Sequence, residues 1–131
     1  MTARVVVFGA GAIGCWVGAR LARASSVVLY GRARVLDALV DGVRATDLDG
    51  GDVTAQPALS TDPRVVADAD LVLVTVKSAA TADAAATIAA HARPDAAIVS
   101  LQNGVRNARV LAGGLPQHAV VAVIGGEHHA P

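Results

Sequence analysis

A glycine-rich loop between a strand and a helix is the feature that most constrains this chain. The β-branched run Arg4–Phe8 ends at the loop Gly9-Ala-Gly-Ala-Ile-Gly14, and Cys15–Arg23 follows with helical Ala/Leu spacing. A second apolar run, Val27–Tyr30, then completes a strand–helix–strand unit of about thirty residues. This spacing predicts two parallel strands joined by a crossover helix that begins at the glycine loop.

The three glycines of the loop predict a phosphate-binding turn. Gly9 permits a tight turn out of the strand, Gly11 leaves no side chain between the backbone and a pyrophosphate, and Gly14 allows close helix–strand packing. The amides at the helix start then point towards the phosphates, with the positive end of the helix dipole behind them. The motif is short, so its context carries the interpretation; the alternative is a structural turn that binds nothing.

The rest of the chain continues the alternation of strand and helix. Hydrophobic residues make up 53% of the sequence and aromatic residues 2%, so a core of small aliphatic side chains is expected. We predict an α/β Rossmann-type fold, a doubly wound and mostly parallel sheet with helices on both faces, in one domain over residues 1–131. The predicted strands are Leu71–Val76, Ala97–Leu101 and Val120–Ile124, and the predicted helices are Arg34–Val40, Thr81–Arg93, Asn103–Leu111 and a short one at Asp62-Pro63; a hairpin is expected within residues 42–60, around Gly50-Gly51.

Arg32 indicates which dinucleotide the site binds. NAD-binding sites of this type usually carry an acidic residue about 20 residues past the glycines, where it binds the adenosine ribose. The sequence there is Tyr30-Gly-Arg-Ala-Arg34, without an acid before Asp37. A guanidinium binds a 2′-phosphate that a carboxylate would repel, so Arg32 favours NADP(H), with Arg34 as a candidate helper. The alternative is a solvated turn residue.

Two further polar residues are expected at the same edge of the sheet. Lys77 follows the strand Leu71–Val76, and Asn103 follows the strand Ala97–Leu101. Ligands of open α/β sheets bind at the carboxyl ends of the strands, so both side chains are candidates for contacts with cofactor or substrate. An exposed strand-end lysine and ordinary Asn-Gly turn chemistry remain the alternatives.

The composition excludes several other classes of protein. Eleven basic and eleven acidic residues cancel, which speaks against a nucleic-acid or membrane-surface role, and the single Cys15 excludes an internal disulfide. The uncharged stretch Val5–Ala19 could imitate a signal peptide, but it carries patterned glycines and lacks a clean cleavage site. A cytoplasmic protein is expected. The adjacent His128 and His129 do not have metal-ligand spacing, so no metal site is predicted.

Taken together, these motifs resemble the ketopantoate reductase (2-dehydropantoate 2-reductase) family. The resemblance implies NADPH-dependent reduction of a 2-keto acid, with Asn103 also contacting substrate and no catalytic residue assignable in this chain. It rests on the motifs Val5–Gly14, Gly18–Ala22, Arg32, Thr75-Val-Lys77 and Leu101-Gln-Asn-Gly104. The residues implied to bind the cofactor are Gly9, Ala10, Gly11, Ala12, Ile13, Gly14, Arg32, Lys77 and Asn103.

The sequence departs from the family pattern in two respects. Arg106 stands soon after the Asn-Gly pair, where a glycine is common in the family. Family members are also about twice as long, with a C-terminal helical domain that supplies a catalytic lysine. We therefore expect cofactor binding with little or no turnover, and either a homodimer or packing of the missing helical domain on an exposed sheet edge. A stand-alone NADP-binding module and a dehydrogenase for a different keto or opine substrate are the alternatives.

Overall fold

The computed structural model describes residues 2–46, 51–102 and 105–123. The strands are β1 (Arg4–Phe8), β2 (Ser26–Tyr30), β3 (Val43–Thr46), β4 (Asp52–Ala55), β5 (Ala58–Ser60), β6 (Leu71–Val74), β7 (Ala97–Ser100) and β8 (Val120–Ala122). The helices are α1 (Ala12–Leu21), α2 (Ala33–Asp37), α3 (Thr81–His91) and α4 (Val105–Gly114), with 3₁₀ turns at Pro63–Asp68 and Ser78–Ala80.

Within the described residues, six strands form one sheet in the order β5-β2-β1-β6-β7-β8, and every neighbouring pair is parallel. From β1 the chain adds β2 and β5 on one side of the sheet. It then returns to the centre and adds β6, β7 and β8 on the other side. This is the strand order of a Rossmann fold, and its reversal falls between β1 and β6. The predicted doubly wound parallel sheet is confirmed.

Helices cover both faces of the sheet, because the central strands are apolar on both sides. On one face Val7 and Leu29 pack against Ala19 of α1 and Leu36 of α2. The other face packs against α3, α4 and the 3₁₀ turn Pro63–Asp68. Its core consists of Val6, Phe8, Val66, Ala69, Val72, Val74, Ala84, Ala85, Ile88, Ile98, Leu111 and Leu115.

Asp70 connects neighbouring segments at the edge of the sheet where the strands begin. Its carboxylate accepts hydrogen bonds from the Arg4 backbone amide at 2.8 Å and from the Arg93 guanidinium at 2.9 Å. These bonds lower the pKa of Asp70, the backbone bond from Arg4 contributing most. Arg4 begins β1, Asp70 directly precedes β6 and Arg93 lies in the turn before β7, so the bonds link these strands at the edge opposite the glycine loop.

Most element boundaries differ little from those predicted. The predicted hairpin is present as the antiparallel pair β3–β4, while Gly50 of its expected turn lies outside the described residues. The strand predicted to end at Val76 ends at Val74; the Val76 carbonyl accepts from the Gln102 side chain rather than from a neighbouring strand. Strand β5, which extends the sheet beside β2, was not predicted from the sequence.

The helices begin and end within a few residues of their predicted bounds. The side chain of Asp62 accepts a 2.9 Å bond from the Arg64 amide and so caps the turn that follows it, as predicted. None of the helices in the described ranges is long and apolar enough to cross a membrane.

Candidate functional site

A cleft of about 620 Å³ opens at the carboxyl ends of β1, β2 and β6, where the strand order reverses. Its walls come from the glycine loop, the end of β2, the end of β6 and one side of α3. Five of the residues predicted to bind the cofactor line it: Gly9, Ala10, Gly11, Arg32 and Lys77. Ala12, Ile13 and Gly14 lie in α1 behind the loop and do not line the cleft, and Asn103 falls outside the described residues.

Gly9 and Gly14 are required by the close packing of the loop. Gly9 has a φ of +123°, a conformation that side-chain-bearing residues rarely adopt. A Cβ on Gly14 would lie 2.0 Å from the carbonyl oxygen of Gly9. Backbone therefore presses directly on backbone at this point, and the start of α1 lies against the end of β1.

Gly11 differs from Gly9 and Gly14 because the space that a side chain would occupy there is free of protein atoms. A Cβ added there would find no heavy atom within 4 Å, and it would stand beside the cleft. Gly11 is also the N-cap of α1, with no side-chain cap and no acidic residue in the first turn of the helix. The unoccupied space and the uncapped amides fit the phosphates of a dinucleotide.

Thr75 holds the glycine loop against β6, a role that the sequence analysis missed. Its hydroxyl donates a 2.7 Å hydrogen bond to the carbonyl oxygen of Gly9, and its backbone amide donates to the Phe8 carbonyl at 3.0 Å. Thr75 opens the Thr-Val-Lys motif, so the motif supplies a side chain to the loop as well as Lys77 to the cleft. The partners are 66 residues apart in sequence.

Arg32 lies at the β2 side of the cleft, directly after that strand, and its side chain is exposed. Arg44, Arg64 and Arg93 are each paired with an aspartate at 3.1 Å or less. Among the residues that the structure describes, no carboxylate is paired with Arg32. Its guanidinium is thus available to an anion in the cleft. Arg34, the candidate helper, is exposed but does not line the cleft.

The floor of the cleft on this side is aromatic. The rings of Phe8 and Tyr30 lie with their centroids 4.4 Å apart and their planes inclined by 32°. Both residues end strands, and Val35 of α2 adds an apolar wall. Apolar side chains beside a cationic one suit a nucleoside that carries a phosphate. Neither ring was predicted to belong to a site, although both residues end predicted strands.

Lys77 lies across the cleft from Arg32, after the end of β6, and is exposed. Gln102, the residue before Asn103, hydrogen-bonds with its side chain to the Val76 carbonyl beside Lys77. Asp83 of α3 supplies a carboxylate to the same wall, so the cleft carries both signs of charge.

Cys15 packs beneath the loop. Its thiol donates to the Ala10 carbonyl at 3.4 Å, and burial raises the pKa of the thiol. A protonated, hydrogen-bonded thiol is a packing group rather than a nucleophile. Within the described ranges no three metal-ligating side chains come together; His128 and His129 lie outside them.

The strand order, the glycine loop and the cleft over the strand reversal define the class: this is a Rossmann-type domain of the kind that binds NAD(P). Residues 5–128 match the family described as Ketopantoate reductase PanE/ApbA. The chain belongs to this family.

Named relatives agree with the family match. The chain is 43% identical over 124 residues to the 2-dehydropantoate 2-reductase of Halobacterium salinarum, covering 90% of this chain and 40% of that protein. It is 38% identical over 115 residues to the enzyme of the same name from Archaeoglobus fulgidus, covering 83% of this chain and 35% of that protein. A crystal structure of a PanE/ApbA family ketopantoate reductase from Ralstonia eutropha superposes with a TM-score of 0.78 at 37% identity, covering 91% of this chain and 40% of that one. The chain thus spans 35–40% of the length of these relatives.

Proposed function

We propose that this chain binds NADP(H) and forms the cofactor-binding part of a 2-dehydropantoate 2-reductase. The observation that carries the proposal is Arg32, a guanidinium without a carboxylate partner in the described residues, at the adenosine side of the cleft. A cation at this position attracts the 2′-phosphate that distinguishes NADP(H) from NAD(H). The relatives named 2-dehydropantoate 2-reductase support the reaction class.

In this proposal each wall of the cleft has one task. Gly9–Gly11 and the first amides of α1 hold the pyrophosphate, and Arg32 binds the 2′-phosphate through charge-assisted hydrogen bonds. Lys77 and Asn103 contact the nicotinamide side and the substrate. The bound cofactor would supply a hydride to the keto carbonyl. The family resemblance assigns the general acid to a lysine of a helical domain, so for these 131 residues we propose binding with little turnover.

The test is a pair of titrations with NADPH and NADH, followed by nicotinamide fluorescence. We expect tighter binding of NADPH, and Arg32→Ala should weaken it by about 1–3 kcal/mol while leaving NADH binding unchanged. Arg23→Ala is the matched control, because Arg23 is exposed and follows α1 at the opposite edge of the sheet. Equal affinity of the unmutated protein for the two cofactors would refute the assignment of Arg32.

Two further expectations belong to the proposal. Val121 and Val123 at the β8 edge are 56% and 48% exposed, which favours coverage of this edge by a helical domain or a second copy of the chain. Oxidation of NADPH with ketopantoate at ordinary enzyme rates by the isolated chain would contradict binding without turnover. Turnover with another keto or opine-type substrate would favour the related-dehydrogenase alternative. The cytoplasmic location stays a prediction.

A further inference from the structure

Gln102 connects the ends of β6 and β7 through its side chain. Its amide nitrogen donates to the Val76 carbonyl at 2.9 Å and to the Thr81 hydroxyl at 2.7 Å. Its amide oxygen accepts from the Ser100 hydroxyl at 3.1 Å. Both ends of the amide are therefore engaged, and the contact with a carbonyl oxygen fixes which end is the nitrogen.

The network continues from Thr81 into α4. The Thr81 hydroxyl donates to the Asn107 side-chain oxygen at 3.2 Å, and the Asn107 amide nitrogen donates to the Ser78 hydroxyl at 3.0 Å. Thr81 has one hydroxyl proton, so it accepts from Gln102 and donates to Asn107. Thr81 is 1% exposed and Asn107 7% exposed, so loss of a partner would leave a polar group without solvent.

These bonds lie behind the wall of the cleft rather than in it. Val76, Lys77 and Ala80 line the cleft, whereas Gln102 and Thr81 do not. The β6 strand has already ended at Val74, so the Gln102 side chain is what the Val76 carbonyl bonds to next to Lys77. The network thus bonds to the residues on both sides of Lys77, to Val76 through Gln102 and to Ser78 through Asn107.

We propose that Gln102 and Thr81 are positioning residues for the nicotinamide half of the cofactor. The glycine loop follows β1 and Arg32 follows β2, so the pyrophosphate and the adenosine occupy that side of the cleft. The remaining half of the dinucleotide then extends over the ends of β6 and β7, where the network fixes Val76 and Lys77. This inference rests on the proposed function and assigns roles to two residues that do not touch the ligand.

The test compares two ligands that share the adenosine end. NADPH has a nicotinamide half, and adenosine 2′,5′-bisphosphate has none. In Thr81→Val the hydroxyl is replaced by a methyl group of similar size, and in Gln102→Met the amide is replaced by a neutral side chain of similar length. For both variants we expect the Kd for NADPH to rise about fivefold to tenfold and the Kd for the bisphosphate to stay within about twofold.

Two control variants separate positioning from general damage. Thr81→Ser keeps the hydroxyl and should retain the wild-type Kd for NADPH. Thr46→Val deletes a hydroxyl that bonds to Asp52 in the hairpin, outside the cleft, and should change neither Kd. If circular dichroism shows that Thr81→Val does not fold, the two ligands are compared with Gln102→Met alone. Gln102 is only half-buried, so this substitution should disturb folding less.

The outcomes distinguish the inference from the proposal beneath it. Equal weakening of both ligands, or unchanged binding of both, would overturn the positioning role while leaving the cofactor assignment intact. A wild-type chain that binds neither ligand would overturn the proposed function itself, and the positioning role with it.

Discussion

The hydroxyl of Thr75 donates a 2.7 Å hydrogen bond to the carbonyl oxygen of Gly9. This bond joins the two strands between which the order of the sheet reverses, at the floor of the cleft. Gly9 has a φ of +123°, and its carbonyl accepts from the Thr75 side chain rather than from a strand amide. The shape of the phosphate-binding loop thus depends on a side chain from the other half of the sheet.

Replacing Thr75 by Val should destabilise the protein. The half-buried Gly9 carbonyl would lose its partner, which costs about 1–3 kcal/mol in the free energy of unfolding. Urea denaturation followed by circular dichroism measures this loss. Thr75→Ser retains the hydroxyl and should remain within about 1 kcal/mol of the wild type. Equal stability of the Val and wild-type proteins would show that the bond is not stabilising.

Gly11 and Gly14 form a matched pair for alanine substitution. Gly14→Ala places a Cβ 2.0 Å from the Gly9 carbonyl oxygen and should cost about 1–3 kcal/mol in folding free energy. Gly11→Ala meets no protein atom within 4 Å, so its stability should stay within about 1 kcal/mol. The Gly11 variant should instead lose at least about tenfold in NADPH affinity, since in the proposed site its methyl group would face the phosphates. Unimpaired binding by Gly11→Ala would contradict the phosphate-binding role of the loop.

Acid should unfold the protein partly through Asp70. Its pKa is lowered in the folded state by the Arg4 amide first and by Arg93 next, so its stabilisation is present at neutral pH. That contribution is lost as the pH falls from about 5 through the folded-state pKa, where the carboxylate is protonated. Asp70→Asn should flatten the decline of unfolding free energy below about pH 5. A decline in Asp70→Asn as steep as that of the wild type would contradict this assignment.

Cofactor binding should raise the melting temperature in a ligand-specific way. A ligand at one hundred times its Kd stabilises the folded state by about 2.7 kcal/mol. At the same concentration, NADPH should therefore shift the melting temperature more than NADH does. Arg32→Ala should remove the difference between the two shifts, whereas Arg23→Ala should preserve it. A difference that persists in Arg32→Ala would assign the preference to another residue.

The sequence predicted the central part of the fold because strong local signals coincide there. The run Arg4–Phe8 is apolar and β-branched, it stops at a glycine, and β1 occupies those residues. By contrast, β5 has three residues, too few to show any periodicity, and pairing with β2 rather than local propensity makes it a strand. Helix α2 ends at Asp37 rather than Val40; Val40 is 62% exposed, so little apolar burial favours extending the helix to it.

The sequence predicted only those site residues whose role follows from their own side chain and their position after a strand. Arg32 and Lys77 follow recognisable strands, so their place at the edge of the sheet could be expected, and both line the cleft. The bond from Thr75 to Gly9 joins residues 66 apart, and the bond from Gln102 to Thr81 joins residues 21 apart. No sequence pattern links such partners, because the contacts exist only once the parallel strands have aligned.

The pairing of β1 also has a consequence for the nascent chain. Val7 pairs with Leu29 of β2 on one side and with Leu73 of β6 on the other. During synthesis one edge of β1 therefore stays without a partner until β6 has left the ribosome. Its run of valines is a template for adding strands from other chains throughout that interval. Yield on expression or refolding should thus fall with protein concentration more steeply than the stability of the finished fold would imply, and a holding chaperone should restore it.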